Sequence, residues 1–207
     1  MRRIWDTIVV MWIGLALATS GAEAGEHLSG FGFVISVPDV YLVLTRDEVQ
    51  RNAAFFLEPG DAAGLEKIPG TMRQEVYERV EAGELEIFYR TAGFGHSFVD
   101  NVNVMIQQAE LPGGPRQLEV VCSLLPGEFS RLFGRPVGLD GCEMRSVAGL
   151  PALYLLFDGA LPGTKTLQYQ IQRRAGETLI LTATAADTNI SRMMGEFESM
   201  VSSIRAR

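Results

Sequence analysis

The chain has 207 residues, of which 47% are hydrophobic and 21% charged, and its formal net charge is −7. That length and composition suit a globular domain with a substantial core and exclude the disordered class. The acidic balance argues against a nucleic-acid partner, which would require a basic face for the phosphates, and against simple adsorption to anionic lipid.

The N-terminal stretch reads as a targeting segment. Arg2 and Arg3 open it, Ile8 to Ala18 is an apolar run of 11 residues, and Ala22-Glu23-Ala24 places small residues at −3 and −1 before Gly25. This is the three-part pattern of a secretory signal peptide. The run is shorter than the ~20 apolar residues of a membrane span; an uncleaved anchor is the competing reading. Residues 1–24 are therefore expected to be a signal and residues 25–207 a single domain, periplasmic or secreted, with no stable membrane span after cleavage. His27 then falls in a mobile end.

Phe31 to Val37 reads as a first strand, stopped by Pro38. Thr45-Arg46-Asp47-Glu48 has the form of a capping box, predicting a helix to about Leu57 with Val49, Ala53 and Phe56 near one face. Thr71 opens a second helix through Ala82, with Val76, Tyr77 and Val80 on one side and Gly83 at its C-terminal stop. Glu84 to Arg90 is a strand with Leu85, Ile87 and Tyr89 on one face. A Gly-rich loop, Thr91 to Ser97, leads to a strand over Phe98 to Ala109. There Val102, Val104 and Ile106 oppose Asn101, Asn103 and Gln107. Arg116 to Leu125 is helical, and Pro126-Gly127 breaks it before a short helix ending near Phe133. Gly138 to Gly141 reads as a turn.

A meander follows. Pro151 to Phe157 is apolar on both faces, which places it inside a sheet covered on both sides. Thr164 to Gln172 alternates Thr166, Gln168, Gln170 and Gln172 with Leu167, Tyr169 and Ile171. Glu177 to Ala185 alternates Thr178, Ile180, Thr182 and Thr184 with Leu179, Leu181, Ala183 and Ala185. A last helix, capped by Thr188 or Asn189, runs to Ile204. Because most strands are consecutive, the fold class is α+β, an antiparallel β-sheet flanked by helices.

Five segments together resemble the PsbP-like superfamily: Phe98-Val99-Asp100-Asn101-Val102-Asn103-Val104, Leu125-Pro126-Gly127-Glu128-Phe129, Val147 to Ala152, Thr164 to Tyr169, and Glu177 to Thr184 before the final helix. Its members include the extrinsic subunit of photosystem II, a Ran-binding import factor and bacterial envelope proteins such as DcrB. The resemblance covers roughly Phe31 to Ile204. It implies an α/β/α sandwich and a protein that mostly binds other proteins, with no shared catalytic centre.

Chemistry-bearing residues are few. His96 sits in the Gly-rich loop beside Asp100, a pair that suits a metal site or an acid–base couple but supplies only two of the usual three or four ligands. No Gly-x-Ser-x-Gly elbow is present, and Gly93-Phe94-Gly95 lacks the ending of a phosphate loop. Phe94 and Phe98 either anchor a partner or fold back on the core. Cys122 and Cys142 either form one bridge, which export allows, or are two small buried apolar residues. The Gln/Thr face of the meander is either solvated or a docking surface of uncharged hydrogen-bonding groups. The sequence thus predicts a non-catalytic, exported protein-binding or assembly accessory module without a cofactor or metal. Its candidate binding residues are Phe94, His96, Asp100, Asn101, Asn103, Gln168, Gln170 and Thr182. The alternative is a small-molecule or metal-binding periplasmic protein using the His96 loop; hydrolase chemistry is a third reading.

Overall fold

The computed structural model describes residues 24–51, 70–91 and 100–207. The proposed signal up to residue 23, the second half of the first predicted helix and the loop holding Phe94, His96 and Phe98 lie outside the described residues.

The described strands are β1 (Ala24–Leu28), β2 (Phe33–Pro38), β3 (Tyr41–Leu44), β4 (Glu86–Arg90), β5 (Asn101–Gln107), β6 (Leu139–Val147), β7 (Leu150–Asp158), β8 (Thr164–Arg174), β9 (Glu177–Ala186) and β10 (Arg205–Ala206). The helices are α1 (Arg46–Arg51), α2 (Gly70–Glu81), α3 (Pro115–Phe133) and α4 (Ile190–Ser202), the last preceded by a single 3-10 turn at Asp187–Asn189. A seven-stranded sheet has the order β3-β4-β5-β9-β8-β7-β6, with every pair antiparallel. A smaller sheet has the order β1-β2-β10. This is the expected α+β class.

The strand alternation divides the core in two. On one face, Val102, Val104, Tyr154, Leu167, Tyr169, Leu181 and Ala183 pack beneath Met193, Phe197, Met200 and Val201 of α4, together with Phe33, Ile35 and Val37 of β2. On the other face, α1 and α2 cover the β3–β4 end through Val49 and Val80, against Leu44, Ile87 and Tyr89. There too, α3 covers the β6–β7 end through Leu118, Val121, Leu125, Phe129 and Phe133, against Leu153, Leu155 and Phe157. β7 is therefore interior and buried on both sides, as its double apolar pattern requires. Leu155 is 0% exposed, a burial that contributes roughly 1.5–3 kcal/mol.

Tight turns hold the meander in register. Ala148 and Gly149 between β6 and β7 both have positive φ, 51° and 80°, as a two-residue hairpin demands to match the strand twist. Gly163 and Gly176 hold the left-handed positions of the next two connections. Two of the predicted helix signals operate: the Glu48 N–H donates to Thr45 Oγ1 at 3.4 Å, and Gly83, with φ 74°, follows α2; α2 itself begins at Gly70, ahead of Thr71, and Asn189 precedes α4 without a side-chain capping bond.

Three expectations are corrected, and two strands appear that the sequence did not announce. The segment after the cleavage point is not a mobile end: β1 pairs with β2 over five rungs, from Ala24↔Pro38 to Leu28↔Val34. His27 there is 16% exposed at its side chain and lies 3.3 Å from Glu86 Oε2, edge-on to the Phe88 ring. Tyr41–Leu44 is a strand in its own right, drawn out by pairing with β4. The Pro115–Phe133 helix is continuous through Pro126. Proline removes one N–H from the helical ladder and costs about 3 kcal/mol in isolation, but apolar side chains before and after it pack on the same strand, β7, and hold the two halves in line. Leu139 to Gly141 begins β6 with a bulge rather than forming a turn. Residues 205 and 206, just beyond the predicted end of the last helix, add β10 to β2.

Candidate functional site

The two helical covers on the α3 side of the large sheet leave its middle strands between them. The residues there come from the polar faces of β5, β9 and β8, and the register puts them in rows. Asn101 faces Thr184, which faces Thr166; Asn103 faces Thr182, which faces Gln168. The sequence-predicted Asn101, Asn103, Gln168, Gln170 and Thr182 are thus brought onto one surface.

This floor is cross-linked by uncharged hydrogen bonds. The hydroxyls of Thr166 and Thr184 lie 3.3 Å apart. Gln168 Nε2 donates to Thr182 Oγ1 at 3.0 Å, and Gln170 Nε2 donates to Gln168 Oε1 at 2.7 Å. A primary amide carries two donors and two acceptor lone pairs, so these bonds orient the side chains without exhausting them. The next row is closed: Gln172 Oε1 accepts the Leu111 N–H at 2.8 Å, and Thr178 Oγ1 donates to the Ala109 carbonyl at 2.9 Å. The chain entering α3 thus seals the floor beyond Gln170.

One wall is α3. Phe129 stacks on Phe157 with ring centroids 4.3 Å apart and on Phe133 at 6.0 Å, the separations favoured by offset aromatic pairs. Between these rings and the floor lies a cavity of about 400 Å³, lined also by Leu132, Ala160, Leu161 and Thr164. A second cavity, of about 560 Å³, lies at the other end of the helix, lined by Gln117, Val120, Val121, Leu153 and Gln170 and also by the charged Glu110 and Arg116. A disulfide from Cys122 to Cys142, with Cα atoms 5.9 Å apart, ties α3 to β6.

Asp100 does not join this surface. It is 7% exposed; its Oδ1 accepts the Ala186 N–H at 3.1 Å, and its Oδ2 accepts Asn189 Nδ2 at 2.9 Å and Arg192 at 3.4 Å. It fixes the start of α4 on the opposite side of the sheet, beside a buried network in which Tyr41 donates to Glu196 at 2.8 Å and Arg90 contacts both Glu196 oxygens. Burial alone would raise the Glu196 carboxyl; the Arg90 and Tyr41 hydrogen bonds outweigh it and hold that group below the usual carboxylate range. Among the described residues no group of three or more His, Cys, Asp or Glu side chains is placed to hold a metal, and no helix is long and apolar enough to cross a membrane.

Sequence reasoning missed the wall. The expected break at Pro126 assigns Phe129, Leu132 and Phe133 to a separate short helix, apart from Phe157 in a strand interior. The available signal was the apolar spacing Leu118, Val121, Leu125, Phe129, which keeps helical period straight through Pro126.

No family model matches the chain, and no curated protein matches it. Solved structures do resemble it. The PsbP protein of Synechocystis sp. PCC 6803 superposes with a TM-score of 0.53 at 13% identity, over 94% of this chain and 99% of that one. The Ran-binding protein Mog1p of Saccharomyces cerevisiae gives 0.47 at 9% identity, over 88% and 96% respectively. The T6SS immunity protein TplEi of Pseudomonas aeruginosa gives 0.47 at 12%, also over 88% and 96%. The first of these likenesses establishes a PsbP-like fold.

Proposed function

We propose that this chain is an exported, non-catalytic protein-binding or assembly accessory module of the bacterial envelope, and that the Asn/Thr/Gln floor beside α3 is its binding surface. The observation that carries the reading is the floor itself. A sheet centre of ordered, uncharged amides and hydroxyls, bordered by apolar side chains, has the make-up of an interface: depleted in charge at its middle and able to hydrogen-bond. Residues 1–24 serve as the signal, and the domain from Gly25 onward works in the periplasm or outside the cell. The Cys122–Cys142 bridge supports an oxidising compartment.

The test places a photo-crosslinking residue at Gln168 in the full chain, expressed in its own envelope, with a matched substitution at the exposed Ser191 on the opposite side of the sheet. A discrete intermolecular adduct is expected from position 168 and not from 191. The same adducts from both positions, or none from 168, would overturn the assignment of this surface.

A further inference from the structure

The two cavities beside α3 share β8 as their floor and so form one trough: Thr166 and Gln168 line the first and Gln170 the second, and Gln170 is hydrogen-bonded to Gln168. Among the described residues six large hydrophobic side chains are exposed, and three of them, Val120 at 56%, Leu124 at 58% and Leu132 at 76%, lie on this one helix. A fourth, Leu161, rims the Phe157 cavity. Exposed apolar residues gathered in this way mark an interaction surface, whereas scattered ones do not. The Phe157 cavity is lined by no charged residue, although charged residues make up 21% of the chain.

We propose that the trough docks an extended, uncharged segment of a partner protein, lying lengthwise beside α3 with one large apolar side chain seated among Phe129, Leu132 and Phe157. The inference rests on the protein-binding reading above and specifies the partner's chemistry. A charged side chain entering that cavity would lose its hydration with no opposite charge to meet it. A wholly apolar segment would cover the Gln and Thr side chains without satisfying them. An extended segment meets both requirements, because its main-chain N–H and C=O groups are free to pair with the floor, whereas those of a helix are already spent on each other. Thr166 and Gln170, one in each cavity, are four residues apart on β8, about 13 Å at the strand rise. A partner strand running alongside therefore presents same-side residues to the two cavities at a spacing of four, with a neutral stretch between.

The experiment pans a phage-displayed peptide library over the intact protein and measures the selected peptides against Leu132→Glu and Leu150→Glu variants. Both positions are exposed, so both variants retain the fold; Leu150 lies at the β6–β7 hairpin and serves as the control. The expected result is a set of peptides uncharged across their core, with two large apolar residues four positions apart. Their affinity should fall about tenfold or more in Leu132→Glu, the loss typical of a buried anchor, and hold in Leu150→Glu. Charged peptide cores, or unchanged binding to Leu132→Glu, would overturn the inference. An envelope adduct from Gln168 combined with peptides indifferent to Leu132 would leave protein binding intact and sink only the groove. Groove-binding peptides with no envelope adduct would do the reverse.

Discussion

Replacing Cys122 and Cys142 together by serine tests how the groove wall is held. None of the α3 residues is fully buried; the helix rests on half-buried side chains and on the covalent tie to β6. The bridge spans a sequence separation of 20. On the chain-entropy model a loop of that size restricts the unfolded chain by about 3 kcal/mol. At roughly 2–4 °C per kcal/mol for a chain of this length, the double variant should melt ~6–12 °C lower. Scanning calorimetry should show this fall, and the wild type under reductant should reproduce it. Hydrogen exchange should rise most across residues 115–133, because the tie acts on that helix directly. A shift under about 2 °C, or faster exchange distributed evenly over the sheet, would refute the view that the bridge secures α3.

Three further outcomes are expected. Leu155→Asp should abolish cooperative folding, because a carboxylate would sit unpaired between β7 and α3 where 0% of the side chain is exposed; a soluble variant with a sharp melting transition would overturn the interior placement. Glu196→Gln should flatten the acid limb of the stability curve. The folded carboxyl lies below its ordinary value of 4.5, so its contribution is present above that pH and disappears as pH falls through the folded value; identical acid limbs for variant and wild type in pH-dependent melts would contradict this. A chain beginning at Gly25 gives up only the Ala24↔Pro38 rung and should keep its melting temperature, whereas one beginning at Gly30 loses β1 and the His27 contact with Glu86 and should melt several degrees lower; equal melting of the two would show that β1 adds nothing.

Long periodic segments were legible from residue order alone. The Gln/Thr alternation on β8 and β9 put Gln168, Gln170 and Thr182 on one face before any register was known, and the doubly apolar Pro151 to Phe157 demanded cover on both sides. What escaped notice depends on partners distant in sequence. Tyr41-Leu42-Val43-Leu44 is too short to announce a strand and becomes one by pairing with β4. Arg205-Ala206 has no strand character and extends only because β2 offers a free edge. Pro126 carries a strong local signal against a helix, which tertiary packing on β7 overrides. Asp100 beside His96 suggested chemistry by proximity in sequence, but strand alternation turns its side chain to the opposite face from Asn101, where α4 uses it.

The small sheet has a practical consequence. β1 and β10 both flank β2, with Ala24 opposite Pro38 and Ala206 opposite Phe33, so the two ends of the described fold emerge from the same small sheet, at opposite ends of β2. They do so on the α4 side of the large sheet, remote from the trough. A tag, a fusion or a membrane tether at either end would therefore hold the protein by its back and leave the trough facing outward, and a sensor chip loaded through one end should present the same surface as a chip loaded through the other.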